Sequence, residues 1–195
     1  MNRGTTMKKN FFMLGLVILL TGCAFTGDKI KDYSDRSVVY TWLDIDEVDG
    51  NHMYDGGVKQ YKPITDEPYW GLSIDKFEGG FLLYHYGLPN GAYKLDHVRM
   101  QSCLGFICGN TYYSYDFGVQ GDVGAVIINR PDTYYLGSYK LAEEDTGFFE
   151  QSKFNVEKIK DGPSQKQMLE HILKNAPTGH PVLEERITQS LSKVK

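Results

Sequence analysis

Two cysteines raise the first question of chemistry. Cys103 and Cys108 stand as Cys-Leu-Gly-Phe-Ile-Cys. A zinc site wants more Cys or His at short spacing, and a thioredoxin-type site wants Cys-x-x-Cys. If the four intervening residues are a hairpin loop between Val98–Ser102 and Thr111–Phe117, the two cysteines face each other at about 4.5 to 5.5 Å, which a disulfide accepts. Paired cysteines bond in an oxidising compartment, so a structural disulfide is expected. The five histidines, His52, His85, His97, His171 and His180, show no metal-ligand spacing. No His-Glu-x-x-His, Gly-x-Ser-x-Gly or P-loop is present. His85 and His97 fall in predicted strands and read as structural. Asp44 to Gly57 reads as an acidic loop; its Asp44, Asp46, Asp49, Asn51 and Asp55 depart from the EF-hand pattern. Glu143-Glu144-Asp145 and Glu184-Glu185 read as solvated faces. These residues predict no catalytic group, no metal site and no cofactor. The aromatics remain. Tyr69-Trp70, Tyr112-Tyr113-Tyr115 and Tyr134-Tyr135 are able to stack on sugar rings, but Tyr and Trp also fill half-buried strand surfaces. Strand packing is the favoured reading, and Tyr69, Trp70, Tyr112, Tyr113 and Tyr115 are the ligand-contact candidates.

The start of the chain carries a different chemistry. Its first nine residues hold Arg3, Lys8 and Lys9 and no acid, and Phe11 to Leu20 are all apolar or Gly. That is the build of a secretory signal, with Met7 as an alternative start. The uncharged run from Asn10 to Gly27 is borderline for a membrane span, and its polar and small ends favour cleavage instead. Leu20-Thr21-Gly22-Cys23 resembles the lipobox of bacterial lipoproteins. The resemblance implies a lipoprotein precursor cut before Cys23, with a diacylglyceryl thioether on Cys23 and a further acyl chain, such as palmitate, on the new amino group. More than one chain is needed for stable anchoring. Ala24, where Asp would retain the protein at the inner membrane in enteric-type sorting, implies an outer-membrane destination facing the periplasm.

Of 21 basic residues three lie in the signal, which leaves 18 against 25 acidic residues and a net charge of −7. That balance disfavours nucleic acid and anionic headgroups as partners. The 173 residues after the signal suit one domain, and 14 tyrosines with 10 phenylalanines lean toward strands.

Four regions are expected: a signal over 1–22, a lipidated tether over 23–35, a β-sandwich over 36–160 and a helical hairpin over 161–195. Val38, Tyr40 and Trp42 alternate with Val39, Thr41 and Leu43, the pattern of a strand buried on both faces. Trp70 to Phe77, Phe81 to Tyr86 and Ala92 to Ser102 read as further strands, the last two separated by Leu88-Pro89-Asn90-Gly91, a strong turn signal. In the third, Tyr93, Leu95, His97 and Arg99 should share a face, with Val98 and Met100 on the other. Thr111 to Gln120, Ala125 to Ile128, Thr133 to Leu141 and Phe148 to Ile159 complete about eight strands, which argues a mainly antiparallel all-β sandwich. Pro163 near a first helical position and the stripe Met168, Leu169, Ile172 and Leu173 predict one short α-helix. Pro181 and the stripe Leu183, Ile187 and Leu191 predict a second. Both should pack on the sandwich.

Gly80-Phe81-Leu82-Leu83-Tyr84 followed by Leu88-Pro89-Asn90-Gly91-Ala92-Tyr93-Lys94-Leu95 resembles a segment of prealbumin-like (transthyretin-type) sandwich domains. Tyr134-Tyr135-Leu136-Gly137-Ser138-Tyr139 resembles a later element of uncharacterised lipoproteins of that kind. The resemblance spans residues 36 to 160 and implies the fold, with no catalytic residue to carry over. The expectation for function is therefore a non-catalytic envelope lipoprotein, accessory or structural, that binds another protein. A glycan or cell-wall binding module using exposed aromatics is the alternative, and a periplasmic hydrolase comes third.

Overall fold

The computed structural model describes residues 30, 32–62, 69–105, 107–144 and 153–194. The signal, the lipobox with Cys23, most of the tether, Phe106 and Phe148 lie outside the described residues. In chain order the strands are β1 (Ser37–Glu47), β2 (His52–Lys62), β3 (Trp70–Gly71), β4 (Ser73–Phe77), β5 (Gly80–Leu88), β6 (Gly91–Leu104), β7 (Ile107–Asp116), β8 (Val126–Ile128), β9 (Thr133–Glu144) and β10 (Lys153–Ile159). Helices α1 (Gln165–Lys174) and α2 (Pro181–Leu191) follow. One sheet is ordered β10-β9-β1-β5-β4, the other β3-β2-β6-β7 with β8 against the start of β6. Every pairing is antiparallel except β1 with β9.

The doubly buried reading of β1 holds, and the reason is a third layer. Val39, Leu43 and Ile45 point into the core between the sheets, with Leu83, Leu95, Val98 and Met100. Val38, Tyr40 and Trp42 point the other way, under the helices, beside Leu82 and Tyr84 of β5. Met168, Leu169, Ile172, Leu183 and Ile187 cover that face and are all 0% exposed. Each such side chain contributes about 1.5 to 3 kcal/mol. The α1 start differs from expectation. Ser164 is the N-cap, its hydroxyl accepting from Gln167 N at 3.2 Å while Gln167 Oε1 accepts from Ser164 N at 3.0 Å. This capping box places Pro163 before the cap rather than inside the helix. Pro181 does occupy the start of α2.

Four strand expectations change. The strand expected over Thr111 to Gln120 ends at Asp116, and Phe117–Gln120 is a short 3-10 helix. Asp44 to Gly57 is not one loop: β1 runs to Glu47 and β2 begins at His52. Gly56 and Gly57, which read as loop residues, lie in β2, and glycine suits both positions because a side chain there would crowd its neighbours. A Cβ would come 3.0 Å from Leu83 at Gly56 and 2.6 Å from Tyr69 at Gly57. Trp70 to Phe77 is not one strand either. Trp70–Gly71 pairs with β2 in one sheet and Ser73–Phe77 with β5 in the other, the corner held by Leu72 N donating to Gly56 O at 2.8 Å. In β6 the alternation breaks at Asp96, because Leu95 and His97 oppose the adjacent Val58 and Gly57. The extra residue is a β-bulge. After it Val98 and Met100 join the core, and Arg99 is exposed.

Candidate functional site

The β6–β7 hairpin carries the expected cysteine pair. Cys103 and Cys108 are cross-strand partners with their sulfurs 1.98 Å apart. Beyond Gln101 the β6 strand has no β2 residue to pair with, since β2 begins at His52, opposite Gln101. Asn51 substitutes for one: its side-chain amide donates to Cys103 O at 2.7 Å and its Oδ1 accepts from Cys103 N at 2.8 Å. The hairpin end is thus tied by a disulfide and by a side chain that mimics a neighbouring strand. Its flanking Leu104 and Ile107 are 86% and 65% exposed.

Three of the predicted aromatics converge behind it. Tyr112, Tyr113 and Tyr115 line a groove of about 230 Å³ with Asp49, Glu143, Lys153 and Phe154. The three rings do different things. Tyr112 is exposed and stands edge-on to Tyr54 at 6.0 Å. Tyr113 is half-buried against the core. Tyr115 is a core residue whose hydroxyl lies 2.8 Å from the Glu143 carboxylate and 2.9 Å from Asp49 O. Burial, then the Glu143 hydrogen bond and charge, push its phenol well above the usual tyrosine range. Phe154 packs edge-on at 5.2 Å.

Tyr69 and Trp70 are not part of this groove. Tyr69 lies edge-on over His97 at 4.7 Å, and Trp70 over His85 at 5.8 Å. His97 Nδ1 is 2.8 Å from Asp96 and Nε2 is 3.4 Å from Asp55, which also accepts from Arg99 at 3.2 Å. His85 donates Nδ1–H to Gly71 O at 3.0 Å, and burial holds its pKa below the ordinary histidine value. A third histidine, His171, ties α1 to β4 through Asp75 at 2.8 Å, and Tyr84 donates to the same carboxylate at 2.8 Å. Among the described residues no Ser, Thr or Cys side chain hydrogen-bonds any of these imidazoles. Each instead joins neighbouring strands or a helix to a strand. Beyond Asp96, the chain neighbour of His97, the sequence did not point to the His97 or His171 clusters, because Asp55 and Asp75 lie 42 and 96 residues away from them. Among the described residues no group of three or more His, Cys, Asp or Glu is placed to hold a metal ion.

The fold and site together define a three-layer β-sandwich protein with a disulfide-tied hairpin and an aromatic groove at one end. No protein-family model, curated protein or solved structure matches the chain.

Proposed function

We propose that this chain is a non-catalytic envelope lipoprotein, accessory or structural, anchored by lipid on Cys23 and acting by protein–protein binding through its β6–β7 hairpin end. One observation carries the binding reading. From Gln101 to Tyr115 fifteen consecutive residues bear no charge, in a chain that is 24% Asp, Glu, Lys and Arg. The same end gathers Tyr54, Leu104, Ile107 and Tyr112, four of the six exposed large hydrophobic residues among the described ones. Depletion of charge with tyrosine enrichment is the composition of an interface centre, and clustered exposed apolar groups mark interaction surfaces. The disulfide and the Asn51 bonds pre-organise the hairpin, which lowers the entropy lost on binding. Leu104→Asp with Ile107→Asp tests the reading. In membranes treated with a short protein crosslinker, the wild-type lipoprotein should give a higher-mass adduct and the double variant should not. A wild-type chain that yields no adduct refutes it.

A second reading has its own observation. The groove sets the exposed ring of Tyr112 beside the carboxylates of Asp49 and Glu143, an aromatic-plus-acid lining that suits a sugar. Calorimetric titration with soluble cell-wall oligosaccharides decides it. Binding that Tyr112→Ala abolishes favours the glycan module.

A further inference from the structure

We propose that the Cys103–Cys108 disulfide is a thiol-exchange site, opened by a dithiol protein while the domain stays folded. The chain is then the substrate of the exchange, and neither the protein-binding reading nor the lipid anchor is needed for it. The bond is accessible. Cys108 is exposed on β7 and Cys103 is half-buried on β6, and the two stand only 5 positions apart. In the chain-entropy model so short a loop gains little from its crosslink. By linkage the fold holds the bond only weakly against reduction, and exposed disulfides are the labile ones.

The hairpin end keeps its shape without the bond. Asn51 grips both backbone groups of Cys103, at 2.7 and 2.8 Å. Gln101 Nε2 donates to Gly109 O, and Leu104 pairs with Ile107 beyond the cysteines. Further along the same strands Val98, Met100 and Tyr115 are rooted in the core. None of these contacts uses a sulfur.

The two cysteines differ in their surroundings. Cys103 lines a cleft of about 390 Å³ between the hairpin and strands β4 and β5, with Lys76, His52, Met53, Ile74 and Phe81. Among the described residues lining it there is a lysine and a histidine and no carboxylate. The nearby acids are engaged elsewhere. Asp75, beside Lys76 in β4, meets His171 of α1. Asp49 and Glu143 line the tyrosine groove, where Glu143 accepts from Asp49 N and from the Tyr115 hydroxyl. A cation beside a sulfur favours its thiolate and makes it the better leaving group. Attack therefore falls on Cys108 Sγ, and Cys103 leaves. In the first step the reductant's thiolate bonds to Cys108 Sγ as the Cys103–Cys108 bond breaks, and the Cys103 thiolate takes a proton from solvent. In the second, the reductant's other thiolate attacks the reductant sulfur of this mixed disulfide. Cys108 is expelled as a thiolate and is protonated. The reductant gives up two electrons and two protons and ends as a disulfide, and this chain ends as a dithiol.

The test uses the full chain purified in detergent, dithiothreitol as the dithiol, and a thioredoxin whose resolving cysteine is replaced by serine as the trap. Thiols at 103 and 108 are counted by alkylation and peptide mass. Below the unfolding midpoint the rate of reduction should not change with urea, because exchange at the native surface exposes no further area. The reduced chain should melt only about 5 °C lower. The trap should be found on Cys108. Lys76→Met, at an exposed position, should slow reduction by about fivefold with the melting temperature unchanged. Reduction confined to conditions that unfold the chain, or a reduced chain that has lost its fold, overturns the proposal and leaves an inert staple. A trap on Cys103, or an unchanged rate in Lys76→Met, overturns the chemistry assigned to the cleft.

Discussion

Leu169→Ala measures how much of the fold depends on the helical layer. Leu169 is 0% exposed and belongs to the cluster in which α1 and α2 cover Val38, Tyr40, Trp42, Leu82 and Tyr84. The substitution removes roughly three methylene equivalents at about 0.8 kcal/mol each, and the cavity left behind raises the loss. Buried Leu→Ala changes cost about 2 to 5 kcal/mol, and a fully buried site in a cluster that also holds Tyr40, Trp42 and Tyr84 of the sheet collapses poorly, so the upper half of that range is expected. For a domain of this size each kcal/mol lowers the melting temperature by about 2 to 4 °C, so the shift should be of order 10 °C. Far-ultraviolet circular dichroism in detergent would follow the transition. Trp42 provides a local reading, because it lies under the helices at 5% exposure and its indole donates to Phe77 O at 2.9 Å. Its emission should move to the red at a lower temperature in the variant. Val182→Ala is the control, at 44% exposure on α2, and should change stability by no more than about 0.5 kcal/mol. If Leu169→Ala costs less than about 1 kcal/mol while Val182→Ala costs the same, the helices do not stabilise the β10-β9-β1-β5-β4 sheet and the three-layer argument fails.

Cys23→Ser should leave an unprocessed, unlipidated precursor, and intact mass together with fractionation checks this; a variant that matures to the wild-type mass counts against the lipobox. Cys103→Ser with Cys108→Ser should cost roughly 2 kcal/mol in the chain-entropy model, read as a lower denaturant midpoint, and two freely alkylatable thiols in the untreated wild-type protein would contradict the bond. For His85, burial lowers the folded pKa below the ordinary histidine value. The unfolded chain therefore binds the proton more readily, so this contribution is complete above about pH 6.5 and declines as the pH falls below it. His85→Phe should flatten the stability profile in that window, and an unchanged slope would assign the acid sensitivity elsewhere.

Much of the architecture is legible in local pattern. Alternation in β1, the Pro-Asn-Gly turn before β6 and the two leucine-rich stripes each follow from geometry within a few residues, which is why strands and helices can be assigned without partners. The misreadings share a cause. Asp44 to Gly57 looked like a loop because acids and glycines avoid strands on average, yet glycine suits positions 56 and 57, where a side chain would crowd Leu83 and Tyr69 from elsewhere in the chain. Trp70 to Phe77 looked continuous because nothing in its composition marks Leu72 as a corner between two sheets.

The candidate site divides along the same line. The amino-acid sequence by itself determined the β-rich class with two terminal helices and the cysteine spacing a hairpin disulfide needs, and it carries the lipobox-like run before Cys23 on which the anchor proposal rests, because each is a relation among near neighbours. Only the tertiary structure decided that Tyr115 is core while Tyr112 meets solvent, that Glu143 and Asp49 close a groove beside them, and that Asp96 bulges to turn His97 between two carboxylates. Those outcomes depend on register and on contacts 28 to 94 residues apart, and a one-residue slip in pairing would send each side chain to the opposite face.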